Sequence, residues 1–320
     1  MTKLTHTDLT VSPLCLGTVG YGTGLEDEEA YRQMDTFFDR GGNFIDTAHV
    51  YGDWGDRGPA ISEKIIGRWL TGRGNREKVV ISTKGAHPDL SSMEISRMDG
   101  DSIRSDLGES LKNLQTDYID LYFLHRDDSR VPVEEVLGIL EEARIRGDIR
   151  YYGCSNWTLK RLVQAQEYAL SAGLKGFVCN QLMWSLADIN AEALWDKTMV
   201  LMDRDTFAYQ EEKGLSAMAY TSIARGYFSR RAAGEEIGDP LTQLYKNTSN
   251  ETILKYLLEN IPEGYTMMDL CLLYFRVQSF EAIPIASFSS DRQLMAALDS
   301  LDKKCPGELL KAVSKMKQFT

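Results

Sequence analysis

Short apolar runs alternate with amphipathic stretches along the whole chain. Eight of these runs are five to eight residues long, and most are almost continuously apolar. That pattern is typical of strands buried on both faces of a parallel sheet. The predicted strands cover residues 14–18, 43–48, 79–85, 118–125, 149–156, 176–182, 216–223 and 281–287.

The amphipathic stretches between these strands predict helices. Pro132 suits a first helical turn, and Glu134 and Glu135 behind it favour the positive end of a helix dipole. Thr266 and Asp269 have the spacing of a capping box. The predicted helices cover residues 27–40, 61–71, 101–114, 132–147, 159–172, 207–213, 266–278 and 290–299, with a final amphipathic helix at 306–319.

Eight strand–helix repeats predict an α/β fold, a (β/α)₈ TIM barrel, as a single domain over residues 1–320. An open doubly wound sheet is the alternative. The glycine-rich stretch GTVGYGTG at 17–24 does not fit the spacing GxGxxG, which weakens that alternative. An extended polar segment at 225–265 follows the seventh strand, and a connection of that length is usually functional or partly helical.

Composition narrows the class of protein. The 320 residues are 43% hydrophobic and 26% charged, with a formal net charge of −11, which argues against a bulk electrostatic grip on nucleic acid or anionic membrane. The five cysteines are scattered and form no CxxC pair, as expected of reduced thiols in a cytoplasmic protein. We expect no signal peptide and no membrane span, and the four histidines show no metal-ligand spacing.

Chemically reactive side chains stand at the ends of consecutive predicted strands. Asp46 ends the second strand and Tyr51 follows it, Lys84 ends the third, and His125 ends the fourth. Each residue alone has an ordinary structural explanation, such as a turn or a surface position. In a barrel, however, the carboxyl ends of the strands meet at one face, where active sites lie.

This set suits a proton-transfer site. A free tyrosine has a pKa of about 10, and a nearby ammonium such as that of Lys84 favours the phenolate. Asp46 would hold the lysine in place, and His125 could bind and orient a substrate oxygen. Tyr51 would then act as general acid for an oxygen that becomes an alkoxide.

Taken together, DTAHVYG at 46–52, the strand-end Lys84, LHRD at 124–127 and GCSN at 153–156 resemble the aldo-keto reductase superfamily over nearly the whole chain. The resemblance implies a (β/α)₈ barrel that binds an extended nicotinamide dinucleotide, with Asp46, Tyr51, Lys84 and His125 as the catalytic tetrad. NADP(H) is the expected cofactor, and NAD(H) remains possible.

The resemblance also implies the cofactor contacts. Ser155, Asn156 and Gln181 would bind the carboxamide, and Trp184 would stack on the nicotinamide ring. The run AYTSIARG at 219–226 would hold the pyrophosphate. The full expected set is Gly17, Thr18, Asp46, Ser155, Asn156, Gln181, Trp184, Tyr220, Thr221, Ser222, Ile223, Arg225, Ser287, Ser289 and Gln293.

The adenosine end departs from the family pattern. Ser287, Ser290, Ala296 and Ala297 stand where basic residues and a Glu-Asn pair are usual, and Arg292 is the nearest arginine. Because an arginine on the 2′-phosphate normally favours NADP(H), its absence from the usual position keeps NAD(H) open.

The expected substrate is a small carbonyl compound or alcohol, and the oligomeric state is left open. Tyr21, Trp54, Trp157 and also His87 follow strand ends and are candidate pocket residues. The aspartates at 127 and 128 favour a hydroxyl-rich, sugar-derived carbonyl. Two alternatives remain: a nicotinamide-binding regulatory barrel with little turnover, and an aldolase that forms a Schiff base on Lys84.

Overall fold

The computed structural model describes residues 1–319. Eight parallel strands form a closed barrel in which strand order follows chain order, and the last strand closes on the first through Ile285 opposite Cys15. The protein is therefore a single-domain (β/α)₈ TIM barrel, and the open-sheet alternative is wrong. The barrel strands are β3 (Cys15–Gly17), β4 (Phe44–Asp46), β5 (Val80–Gly85), β6 (Ile119–Leu124), β7 (Ile149–Ser155), β8 (Cys179–Met183), β9 (Ser216–Tyr220) and β10 (Ala282–Ala286).

Helices surround this barrel, and each predicted helix is present within a few residues of its expected bounds. The expected capping box of Thr266 and Asp269 is formed. The helices are α1 (Asp27–Asp39), α2 (Ile61–Arg73), α3 (Gly100–Asn113), α4 (Val133–Arg146), α5 (Leu159–Ala172), α6 (Arg204–Lys213), α7 (Tyr227–Ala232), α8 (Asp239–Tyr245), α9 (Thr248–Asn260), α10 (Met267–Leu273), α11 (Asp291–Asp302) and α12 (Gly307–Met316). No helix within residues 1–319 combines the length and the apolar character needed to cross a bilayer.

The extended segment 225–265 is largely helical, because it contains α7, α8 and α9. Its apolar side chains, among them Tyr227, Leu244 and Ile253, are buried against the layer that also holds Leu270 and Tyr274. The segment is thus part of the outer shell of the barrel.

A small antiparallel hairpin closes the amino-terminal end of the barrel. Its strands are β1 (Thr2–Lys3) and β2 (Thr10–Val11), and the pattern did not predict them because two-residue strands show no periodicity. Leu4 and Val11 are fully buried and join the barrel interior around Phe44 and Phe123. The hairpin plugs this end, so the site must lie at the opposite face.

The C-terminal tail is fastened by a buried ion pair. Lys317 follows α12, and its Nζ lies 3.0 Å from Oδ1 of Asp188, with both side chains almost completely buried. The same ammonium donates to the carbonyl oxygens of Ser185, Leu186 and Ala187. The tail therefore fixes the start of the connection between β8 and α6.

We expect Lys317→Met to destabilise the fold by about 3–5 kcal/mol, because it leaves the Asp188 carboxylate buried without its cation. Chemical denaturation measures the loss. Lys315→Met is the matched control, since Lys315 lies two residues earlier and is exposed; its change should stay within about 0.5 kcal/mol. Equal effects of the two substitutions would contradict a stabilising pair at Lys317.

Candidate active site

Two charged side chains from neighbouring strands form the base of the candidate site. Asp46 ends β4 and Lys84 lies on β5, and Lys84 Nζ donates to Asp46 Oδ2 over 2.6 Å. The second carboxylate oxygen accepts hydrogen bonds from Ser82 Oγ at 2.7 Å and Gln181 Nε2 at 3.0 Å. Both charged side chains are at most 2% exposed, so each needs these partners to remain ionised.

Tyr51 lies above this pair, in the turn that follows β4. Lys84 Nζ also donates to the carbonyl oxygen of Thr47 at 2.6 Å and to the Tyr51 hydroxyl oxygen at 3.3 Å. The lysine therefore joins the carboxylate to the phenol, as expected from the spacing of the strand-end residues.

Burial changes the expected protonation of this group. It raises the pKa of Tyr51 above its usual value, and Lys84 offsets only part of that effect. Lys84 thus lowers the pKa of the phenol as expected, but burial sets the net direction, and the phenol keeps its proton at neutral pH. For Lys84 itself, burial opposes the charge, yet Asp46 and Tyr51 outweigh it and raise the pKa. A charged Lys84 cannot form a Schiff base, which argues against the aldolase alternative.

His125 follows β6 and faces Tyr51, with the ring centroids 6.0 Å apart. The His87 ring packs edge-on against His125, at a centroid distance of 4.8 Å. Burial, aided by the charge of Arg126, holds the pKa of His125 well below its usual value. His125 is therefore a neutral imidazole, able to donate one hydrogen bond or accept one.

These groups open into a cavity of about 410 Å³ at the carboxyl ends of the strands. That volume suits a small-molecule ligand. Most residues of the expected tetrad and cofactor set line it together: Gly17, Thr18, Asp46, Tyr51, His125, Ser155, Asn156, Gln181, Tyr220, Thr221, Ser222, Ile223, Arg225 and Ser287.

The floor of the cavity offers hydrogen-bonding groups that fit a carboxamide. The side-chain amide nitrogen of Gln181 donates to Asp46, whereas its side-chain oxygen Oε1 accepts no hydrogen bond within residues 1–319. Ser155 Oγ accepts from Asn156 Nδ2 at 3.1 Å, and its own proton is available. Asn156 is occupied instead: its Oδ1 accepts from Tyr220 Oη at 2.6 Å and from Val200 N at 3.0 Å. Within the expected trio, Ser155 and Gln181 thus fit a nicotinamide amide, and Asn156 orients its neighbours.

The loop after β9 fits an anion. Ala224, Arg225 and Gly226 have φ values of 48°, 51° and 79°, and Thr221 has 57°. Left-handed φ values cost conformational energy in non-glycine residues, and two of these backbone N–H groups are used inside the turn: Ala224 N donates to Thr221 O at 2.7 Å and Gly226 N donates to Ile223 O at 2.9 Å. The feature of the loop that suits an anion is therefore the side chain of Arg225, which lines the cavity and would pair with a pyrophosphate.

Trp184 does not reach the cavity, so its expected stacking role is wrong. Side chains alternate along a strand, and Gln181 points inward, so the residue three places later points outward. Trp184 is 2% exposed and packs edge-on against Tyr274 and Phe275 in the outer shell. The aromatic residues that line the cavity include Tyr51, Trp195 and Tyr220.

Two expected substrate residues are also core residues. Tyr21 is 1% exposed within the outer hydrophobic layer, and Trp157 is fully buried with its ring 5.0 Å from Phe177. Trp54, in contrast, is 50% exposed and its ring contacts Tyr51 edge-on at 6.3 Å. The aspartates expected to bind hydroxyl groups are paired with Arg161 and Arg130, so they give no support to a sugar-derived ligand.

The remaining expected cofactor residues lie outside the cavity wall. Ser289 Oγ donates to Gln293 Oε1 at 2.9 Å, and both residues are exposed at the start of α11.

Sequence reasoning missed several residues that line the cavity. Arg126 is 9% exposed and joins the loop beyond β8, since its Nη2 donates to Asp196 Oδ2 at 2.8 Å. Val19, Trp195 and Met199 add an apolar wall. Arg126 follows the strand-end His125 directly, a position that could have been noticed, whereas its partner is 70 residues away in the chain.

Comparisons with known proteins agree with this geometry. The family model described as the aldo/keto reductase family matches residues 13–317. The chain belongs to the aldo/keto reductase family.

The names of similar proteins agree with the assignment of this chain to a family of oxidoreductases. The uncharacterized oxidoreductase YrpG of Bacillus subtilis is 34% identical over 74% of this chain and 70% of its own length. The aryl-alcohol dehydrogenase [NADP(+)] of Phanerodontia chrysosporium is 31% identical over 92% and 79%. A holo-form aldo-keto reductase from Bacillus halodurans superposes with a TM-score of 0.75 and 27% identity, covering 99% of this chain and 96% of its own. The protein is an NAD(P)H-dependent, carbonyl-reducing enzyme, as expected from its sequence.

Acid should destabilise this reductase partly through His87. Burial, with a smaller effect of Arg126, lowers the pKa of His87 to about 4. In the unfolded chain His87 has a pKa near 6.5. The stability that the buried neutral imidazole contributes is therefore complete above pH 6.5 and is lost as the pH falls toward 4. When the pH is lowered from 7 to 5, we expect the free energy of unfolding to fall by about 2 kcal/mol more in the wild type than in His87→Gln. Urea denaturation at both pH values measures the difference; parallel losses would contradict the assignment.

Proposed function

We propose that this reductase converts an aldehyde or ketone to an alcohol and that Tyr51 donates the proton to the carbonyl oxygen. When bound, the reduced nicotinamide supplies the hydride. The observation that carries the proposal is the chain of contacts from Asp46 through Lys84 to the Tyr51 hydroxyl, at 2.6 and 3.3 Å.

The proton step follows from these contacts. Tyr51 carries its proton at neutral pH, since the ordinary pKa of a phenol is about 10 and burial raises it further, so the proton is available for transfer. As the substrate oxygen takes the proton, negative charge develops on the phenol oxygen, and the Lys84 ammonium stabilises it. Asp46 keeps that ammonium charged and correctly placed.

His125 would orient the carbonyl. It is neutral, it faces the Tyr51 ring, and it lines the same cavity. A neutral imidazole can donate a hydrogen bond to the carbonyl oxygen without competing for the proton that Tyr51 delivers. Its packing against His87 fixes the plane of the ring.

We propose NADP(H) as the main cofactor, with measurable use of NAD(H). The name of the Phanerodontia chrysosporium relative specifies NADP(+). Ser287 lines the cavity, and by the resemblance a basic residue at its position would contact a 2′-phosphate, so the discrimination between the two dinucleotides should be weak. We place the enzyme in the cytoplasm, which is supported by the five free cysteines, four of them buried.

We expect Tyr51→Phe to lower carbonyl reduction by about 10²–10⁴-fold, the usual contribution of a general acid, while dinucleotide affinity stays within about twofold. Consumption of NADPH measures turnover, and calorimetry measures binding. Tyr21→Phe is the matched control, because that buried tyrosine lies outside the cavity and should keep full activity. Wild-type turnover in the Tyr51 variant would exclude it as the acid.

The cofactor proposal predicts the effect of Ser287→Arg. A bidentate arginine–phosphate contact contributes about 1.5–3 kcal/mol, so NADPH should bind about tenfold or more tightly while NADH affinity changes little. Fluorescence titration of the reduced dinucleotides gives both constants. Ser289→Arg tests position, because Ser289 lies outside the cavity wall and should improve NADPH binding less. Equal gains for NADH and NADPH in Ser287→Arg would show that this position does not face the 2′-phosphate.

A further inference from the structure

Several exposed apolar side chains lie on loops at the carboxyl ends of the barrel strands. Among the described residues nine large hydrophobic side chains are exposed, and five of them follow barrel strands on this side: Val19, Trp54, Leu90, Ile95 and Trp195. Val19 and Trp195 also line the catalytic cavity, and the Trp54 ring contacts Tyr51. The entrance of the site therefore offers apolar surface to a ligand.

The most exposed aromatic residue of this group is Trp195, at 60% exposure, and it also lines the catalytic cavity. It lies on the β8–α6 loop (residues 184–203), which also brings Met199 to the cavity wall. An indole offers a large flat face to planar ligands, and leaving it in water is unfavourable unless a ligand covers it.

The β8–α6 loop is held in place before any ligand arrives. Arg126 binds it twice, donating to Asp196 Oδ2 at 2.8 Å and to Thr198 Oγ1 at 2.7 Å. The backbone N–H of Val200 donates to Asn156 Oδ1 at 3.0 Å. Because Arg126 and Asn156 belong to the catalytic face itself, these bonds fix the loop relative to the site.

The indole of Trp195 is also oriented. The guanidinium carbon of Arg225 lies 5.0 Å from its ring centroid, within the range of a cation–π contact. The backbone of Arg225 lies in the left-handed turn that follows β9. A preformed aromatic wall loses little conformational entropy on binding, so it favours rigid, planar ligands.

The carboxylates near the opening are not available to bind substrate hydroxyl groups. Asp127 is paired with Arg161, and Asp128 is paired with Arg130. Asp196 is already bound by Arg126. These three carboxylates have partners, so none is free to replace water around a hydroxyl-rich substrate.

We propose that the β8–α6 loop determines substrate specificity and that Trp195 selects planar aromatic carbonyl compounds by packing on their rings. The proposal rests on the reductase function proposed above. The name of the Phanerodontia chrysosporium relative, an aryl-alcohol dehydrogenase, agrees with this substrate class. In this chain, the preference for aromatic over aliphatic carbonyl compounds would then depend on one residue of one loop.

The test compares 2-naphthaldehyde with propanal in the wild type, Trp195→Ala and Trp195→Phe. We expect Trp195→Ala to lower kcat/KM for 2-naphthaldehyde about tenfold or more through KM, and to change that for propanal less than twofold. Trp195→Phe should recover most of the loss. Ile145→Ala removes an even more exposed apolar side chain, on α4 and outside the cavity wall, and should change kcat/KM for neither aldehyde.

Two results would overturn the proposal while leaving the reductase function intact. Equal losses for both aldehydes would mean that Trp195 is not selective. A matching loss of dinucleotide affinity, measured by calorimetry without aldehyde, would mean that Trp195 and Arg225 hold the cofactor instead. A wild-type enzyme that reduces neither aldehyde with either dinucleotide would overturn the function itself, and this outcome is recognised before any variant is made.

Discussion

The buried pair of Lys84 and Asp46 is the interaction on which the site depends. Two opposite charges can be buried together only where further hydrogen bonds satisfy their remaining donors and acceptors. Here Ser82 and Gln181 donate to the second oxygen of the carboxylate. The pair therefore ties β4, β5 and β8 together at the level of the cavity floor. A change in the register of β4 or β5 would separate the charges, and a change in β8 would remove a hydrogen bond from the carboxylate, so the contacts that place Tyr51 also favour one register of the barrel.

The fold was predictable because barrel strands are buried on both faces and appear as continuous apolar runs. The convergence of Asp46, Tyr51, Lys84 and His125 was predictable because parallel strands bring their carboxyl ends to one face, so that residues far apart in the chain meet there. Neither inference needed side-chain geometry. The β1–β2 hairpin escaped prediction because its strands are too short to show a period.

The other errors came from quantities that a sequence does not contain. The resemblance implies a stacking role for Trp184, but the alternation of side chains after Gln181 turns it outward, and the outer shell buries it. The direction of the pKa shift of Tyr51 depends on how burial compares with the charge of Lys84, and burial is a property of the whole fold. Arg126 and Asp196 are joined only by the path of the β8–α6 loop.

The hairpin at the base of the barrel has a consequence for kinetics. Because Leu4 and Val11 fill that end, ligands approach Tyr51 from the opposite side. Ser155 and Gln181 lie deep, at 1% exposure each, whereas Trp195 stands at the rim. For the proposed reaction, two molecules then share one passage and occupy successive depths in it. A dinucleotide held by Ser155 and Gln181 would then enter before the substrate and leave after it, an order that would follow from the closed amino-terminal end of the barrel.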